Sequence, residues 1–282
     1  MRKIVIIVLI LAIAAVVWFL IKDSPLLLLS NIKESTNIAL EGIKKEILTP
    51  PPLRAIRESE QAYLTRGGVT KWTNIHRANA GLFALLENPH LNTAARLKVE
   101  DMFNRQYFEH ISPTGDNIST LLDGVGYQYI VVGENLALGN YENDQALVQA
   151  WMDSPGHRAN ILNNRFREIG VAVMQGTFEG RKTWLAVQAF AKPLSACLQA
   201  DETLKAQINI FELQIAELKV KADAILTELE QLKGKGNREA YNQKANEYNA
   251  IVSQINGLIA QLKSLVDQYN EQVRIFNACV NQ

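Results

Sequence analysis

Among the residues able to do chemistry, two histidines and a glutamate recur in one kind of setting. His110 lies in Phe108-Glu109-His110-Ile111-Ser112-Pro113, Glu134 in Gly133-Glu134-Asn135-Leu136-Ala137, and His157 in Ser154-Pro155-Gly156-His157-Arg158. Imidazole and carboxylate move protons near neutral pH and ligate divalent metals. Each segment is short, polar and marked by Gly, Pro or Ser between amphipathic runs, which reads as a loop held on a scaffold. Three loops that each offer a titratable group point to one shared cleft. Taken singly, plainer readings hold: a capping or surface residue for His110, an exposed loop carboxylate for Glu134, and for His157 the first turn of a short helix capped by Ser154.

Other chemistries lack their patterns. There is no His-Glu-x-x-His helix and no phosphate-binding glycine loop. Ser112, Ser119 and Ser154 sit in no nucleophile elbow. Trp151 and Trp184 read as core residues rather than stacking platforms.

The elements that must position the three residues follow from periodicity. Residues 72–86 have apolar positions at helical spacing with Thr73 or Asn74 as N-cap. Residues 91–108 read as a second amphipathic helix with Asn92 and Thr93 as start signals and Leu91, Ala94, Leu97, Met102 and Phe103 on one side. Residues 144–152 read as a third. Residues 169–176 and 183–191 read as strands joined by a Gly-bearing turn around Thr177–Arg181. Helices with a short antiparallel sheet predict a layered α+β domain over 57–195.

Both flanks differ from this domain. The stretch from Ile4 to Ile21 is apolar and free of charge, close to the roughly 20 residues that cross a bilayer. Arg2 and Lys3 before it favour a cytoplasmic N-terminus. Bulky Trp18-Phe19-Leu20-Ile21 stands where a signal peptidase needs small residues, so residues 1–23 read as a retained anchor in preference to a cleaved signal. The body is then expected outside the cell membrane, in single-pass topology. Residues 24–56 read as a tether, its Thr49-Pro50-Pro51-Pro52 an extended, semi-rigid spacer.

From residue 199 onward Pro and Trp vanish, and apolar residues recur in steps of four and three, from Leu204 to Leu232 and again from Tyr241 to Val280. That spacing predicts coiled-coil helices. The interruption Gly234-Lys235-Gly236-Asn237 folds 196–282 into an antiparallel hairpin of helices about 40 residues and on the order of 60 Å long. Cys197 and Cys279, the two cysteines of the chain, lie at similar distances on either side of that turn. They are expected to form a disulfide at the open end, which agrees with an exported setting. A second apolar set (Leu213, Val220, Leu226, Ile251, Leu258, Leu265) marks a wider stripe, for a protein partner, self-association or packing within the molecule. Lys plus Arg and Asp plus Glu balance at 29 each, so no charge field argues for nucleic acid.

TNIHRANAGLFAL, GENLA and SPGHRANIL together resemble the signature of the CAP superfamily (cysteine-rich secretory, antigen 5, pathogenesis-related 1) in its bacterial extracellular form. The resemblance covers roughly residues 66–192 and implies an α-β-α sandwich with a concave cleft. In many members two histidines and two glutamates line that cleft and bind a divalent metal, often zinc. By that pattern His110, Glu134 and His157 are the cleft and metal residues. The fourth ligand departs from it: Trp151 is followed by Met152-Asp153-Ser154, with serine where a glutamate is expected. Weak zinc binding completed by water is the expectation. The function expected is a membrane-anchored, non-catalytic module for a small ligand, lipid or cell-envelope component. The alternative is a metal-dependent hydrolase of peptide or cell-wall material with Glu134 as base, and a third reading makes the hairpin the functional part.

Overall fold

A computed structural model describes residues 45–281. The apolar run read as an anchor and most of the tether lie outside the described residues. Among the described residues, no helix is long and apolar enough to cross a membrane. Two compact units divide at Cys197 and Leu198.

The first unit is a six-stranded sheet between two helical layers. Its strands are β1 (Glu46–Leu48), β2 (Leu53–Arg54), β3 (Leu86–Glu87), β4 (Tyr129–Leu138), β5 (Glu168–Phe178) and β6 (Arg181–Pro193). Its helices are α1 (Arg66–Asn79), α2 (Pro89–Arg105), α3 (Ile118–Gly124), α4 (Asp144–Asp153) and α5 (Pro155–Ile161). The order is β1-β4-β6-β5-β3, with β2 also beside β4. β4 and β5 flank β6 antiparallel, whereas β1 and β2 run parallel to β4 and β3 parallel to β5.

Strand alternation sorts the core. Val132, Leu136 and Leu138 of β4 face Leu91, Val99 and Met102 of α2 and Leu122 of α3. Val131 and Ala137 face the other way, toward Val69, Val148, Trp151 and Ile161. The expected α-β-α layering is present. β5 and β6 form the predicted hairpin, turning at Glu179 and Gly180, both at positive φ.

Several boundaries depart from the sequence reading for identifiable reasons. α1 begins at Arg66 rather than at residue 72, because Thr65 is its cap and the Asp144 carboxylate receives both the Thr65 N–H and its hydroxyl. Gly68, which looks like a helix breaker, is required there: a Cβ would fall inside that carboxylate. Thr73 and Asn74 are not caps. Thr73 is buried within the helix, and Asn74 brackets the N–H and carbonyl of Leu85. α2 is capped by Asn88 ahead of Pro89, the favoured first-turn proline, rather than by Asn92 or Thr93.

The largest correction concerns the tether. Residues 46–54, read as the end of a spacer, belong to the sheet. Glu46, Ile47 and Leu48 pair with Val131, Val132 and Gly133, and Leu53 and Arg54 with Ala137 and Leu138. Ala55 N–H continues the pairing onto the Leu138 carbonyl at 2.9 Å. Proline lacks the ladder donor and is tolerated only at sheet edges. The three prolines therefore mark an edge strap rather than a free linker.

The second unit is the helical hairpin, α6 (Glu202–Lys235) and α7 (Arg238–Val280). Gly236 takes the left-handed conformation after α6, and Asn237 caps α7 by accepting from Ala240 N–H. Leu204, Ile208 and Ile215 of α6 pack with Ile255, Leu262, Val266, Tyr269 and Val273 of α7. An antiparallel register is fixed by Lys244 with Glu228 near the turn and by Asp201 N–H on Gln272 near the base. Cys197 and Cys279 are disulfide-bonded. The second apolar set splits: Leu213, Val220 and Leu226 are exposed, while Ile251, Leu258 and Leu265 pack against the hairpin core.

Candidate functional site

Glu134 does not sit in a loop. It lies at the middle of β4, every residue of which is buried, and it is itself wholly inaccessible. The polar Gly-Glu-Asn run hid the strand from sequence reading. Alternation sends Glu134 and Asn135 to opposite faces of the sheet, so the two neighbours serve different networks.

On its face Glu134 meets His110, whose Nδ1 lies 2.5 Å from Glu134 Oε2. His110 Nε2 lies 2.5 Å from the Pro50 carbonyl of the strap. Both partners are oxygen acceptors, so a ring nitrogen that carries hydrogen donates to the oxygen it faces. The loop presenting His110 is held rigidly. Buried Lys98 of α2 donates to the His110 carbonyl at 2.7 Å and to the Tyr107 hydroxyl at 3.1 Å. Ser112 accepts the N–H groups of Thr114 and Asp116, which closes the Ser-Pro-Thr-Gly-Asp turn. Burial pushes the Lys98 amine below its ordinary pKa, opposed by the negative charge of Glu134 and of Asp101.

His157 lies in the first turn of α5. Ser154 is at the cap position, yet its hydroxyl makes no capping bond; it pairs with His157 Nδ1 at 2.8 Å and fixes the ring. Burial, followed by the nearby charge of His110, pushes the His157 pKa down to about 4, so the ring is neutral at physiological pH. Of the three sequence-predicted residues, drawn from a loop, a strand and a helix, His110 and Glu134 are in direct contact, and His157 is near enough to His110 to feel its charge.

Two atoms of this cluster remain unsatisfied. Glu134 Oε1 and His157 Nε2 are buried without a hydrogen-bond partner. Native interiors rarely leave such groups unpaired, and each exception calls for a partner, whether an ordered water or a bound molecule.

The opposite face carries a buried polar chain. Thr73 accepts from Gln188 Nε2 at 2.7 Å, and Gln188 Oε1 accepts from Asn135 at 3.1 Å. Asn135 also donates to the His157 carbonyl and accepts from Asn160, which in turn donates to the Leu48 carbonyl of the strap at 3.1 Å. Arg77, also buried, donates to the carbonyls of Phe83, Ile161 and Asn163 and pins the end of α5. Sequence reading missed Lys98, Asn135, Asn160 and Arg77. Lys98 carried a signal: it falls in the helical stripe of Leu91, Ala94, Ala95, Val99 and Met102, where a charge is out of place.

The metal expectation meets this geometry directly. Catalytic zinc takes about three protein ligands plus an open position. Here both nitrogens of His110 are engaged, Ser154 is committed to His157, and Asp153 accepts from Gln149 at the surface. Two donor atoms stay open, and among the described residues no group of three or more His, Cys, Asp or Glu is placed to hold a metal ion. As arranged, these residues do not fit a zinc ion.

Residues 71–190 match the model of the CAP family, described as the cysteine-rich secretory protein family. The middle of this chain is a CAP domain. An uncharacterized protein of Bacillus subtilis (strain 168), YkwD, is 39% identical over 107 residues, 38% of this chain and 41% of that protein. An uncharacterized membrane protein of the same organism, YlbC, is 33% identical over 101 residues, 36% of this chain and 29% of that one. Among solved structures, an extracellular protein containing an SCP domain from Bacillus anthracis str. Ames is 29% identical, with 45% of this chain and 40% of that chain covered and a TM-score of 0.39. The chain thus spans less than half the length of each of these relatives.

Proposed function

We propose that the chain is a membrane-anchored, extracytoplasmic CAP module that binds a small ligand, lipid or envelope component in the His110–Glu134–His157 cleft without turning it over. The observation that carries the reading is the pair of buried, unpartnered atoms, Glu134 Oε1 and His157 Nε2. A carboxylate oxygen and a neutral imidazole nitrogen, each left without a partner, can both accept hydroxyl or amide donors from a bound molecule. His110, the remaining candidate for proton transfer, is engaged at both nitrogens, which weighs against chemistry. An apolar run of the length of residues 4–21 supports the anchor, and a CAP relative carries the name of a membrane protein. Another relative is an extracellular protein, which agrees with a disulfide at the base of the hairpin. The hairpin serves as spacer or docking surface.

The test is retention of the full chain on purified cell-wall material and on lipid vesicles, beside His157→Ala and Glu134→Gln. Retention by the wild type that both variants lose supports the module. Soluble fragments released by the wild type and not by Glu134→Gln would instead establish the hydrolase.

A further inference from the structure

The strap and the groove beneath it are unequal partners. Every residue of β4 from Tyr129 to Leu138 is buried, whereas no residue from Lys45 to Arg57 is fully so. The groove is core, and its occupant is half exposed.

Recognition of the strap has two parts. At its ends the backbone pairs with β4, through three register pairs at β1 and two at β2. Between them Pro50, Pro51 and Pro52 supply no N–H, and the strap leaves the ladder opposite Glu134, Asn135 and Leu136. In this gap side chains take over: His110 meets the Pro50 carbonyl and Asn160 the Leu48 carbonyl. Gly156 leaves room for the Pro50 ring, since a Cβ there would come within 2.7 Å of it. Both carbonyl readers are held in place from behind, His110 by Glu134 and Lys98, Asn160 by Asn135. Flanking charges add selectivity: Lys45 pairs with Asp123, Glu46 with Arg165, and Arg54 stacks on Phe108 and Phe178. Main-chain pairing along an edge, with fixed readers and a ring-sized seat between, is how peptides are recognised by strand addition. The strap also leaves Glu134 Oε1 and His157 Nε2 unsatisfied, so it does not use the full capacity of the site.

We propose that the outer edge of β4, with His110, Asn160 and Gly156, is a receptor for an extended, proline-containing peptide, and that residues 46–54 are a displaceable occupant that keeps it closed. The partner is an exported segment with an apolar residue two positions before a proline, flanked by charges of the order basic, acidic, basic. A donor side chain beside the proline would reach Glu134 and His157. The inference rests on the cleft being a binding site, as proposed above, and names its ligand class.

The test uses the full chain, a full chain weakened in the strap by Leu48→Asp with Leu53→Asp, and a fluorescent peptide copying residues 45–56. Expected is saturable binding to the weakened chain at least tenfold tighter than to the wild type, and none of a scrambled peptide. Equal binding of the scrambled peptide, or no saturation on a variant with native circular dichroism and tryptophan emission, overturns the proposal. Native-state hydrogen exchange of the wild type tests it without any substitution. The Ala55 N–H should exchange at least a hundredfold faster than amides shared between β4 and β6, and equal protection overturns the displaceable strap. Peptide capture without retention on envelope material keeps the receptor and retires the envelope ligand; retention without peptide capture does the reverse.

Discussion

In the hairpin, residues three and four apart along α6 and α7 line one stripe, and each helix buries its stripe against the other from Leu204 to Val273. In the CAP domain, the contacts that matter join Leu48 to Asn160, Thr73 to Gln188 and His110 to Glu134, across long stretches of chain. The hairpin core among these helices is apolar apart from Tyr269, whereas the domain buries Arg77, Lys98, Glu134, Asn135, His157 and Gln188. The difference is one of what sets specificity. A periodic apolar seam specifies a shape at low cost, and a buried hydrogen-bond network specifies one arrangement of distant segments.

Four perturbations separate the two regions, because tryptophan is absent after residue 199 and its emission therefore reports only the rest of the chain. Reducing the Cys197–Cys279 bond opens a loop of roughly 80 residues and should lower the stability of the hairpin by roughly 4 kcal/mol. Far-UV ellipticity in urea should fall at lower denaturant while the tryptophan transition holds its midpoint. If both move together, the hairpin and the domain are not independent units.

Acid should act on the domain alone. The folded state lowers the His157 pKa from 6.5 to about 4, so the unfolded chain takes up a proton that the folded one refuses. Stability from this residue is complete above about pH 6.5 and lost as pH falls toward 4, by up to ~3 kcal/mol. The tryptophan midpoint should drop across that window, and His157→Asn should flatten the drop. A slope unchanged by the substitution would assign it to other groups. The hairpin contains no histidine and should show no step above pH 5.

Asn135→Leu should cost the domain about 2 kcal/mol, because Gln188 Oε1 and the His157 carbonyl lose a buried donor. The expected reading is a lower tryptophan midpoint at unchanged slope. A neutral result would mean that water replaces the side chain. The smallest effect belongs to the hairpin turn, where Gly236 adopts a φ of 71°. Gly236→Ala should cost about 1 kcal/mol, read as a small shift of the ellipticity transition. A larger loss would show that the turn nucleates the pairing of the helices.

Legibility followed the same divide. The hairpin, a break within residues 234–237 and the disulfide were readable because the 4–3 period and chain symmetry are local properties, although the first helix runs on through Lys235 before it turns. The residue types of the cleft were readable from GENLA and SPGHRANIL, but their settings were not. Glu134 was placed in a loop because a polar triplet interrupts the apolar pattern, and only its pairing with Ala189 of β6, within a strand that the strap flanks at residues 131–133 and 137–138, makes it central strand. The cap of α1 was missed because Asp144, far away in sequence, completes it.

The sequence by itself determined that this chain has an apolar N-terminal run, a CAP domain with two histidines and a glutamate in the signature positions, and a coiled-coil hairpin with a cysteine at each end. Tertiary structure alone decided how those residues work. It gave His110 both of its partners, neutralised His157 by burial, committed Ser154 to it, and laid a proline strap across the cleft. The reason is physical. Periodicity records which face of an element is buried, but protonation, orphaned polar atoms and the closing of a groove depend on groups that meet only when distant segments are packed together.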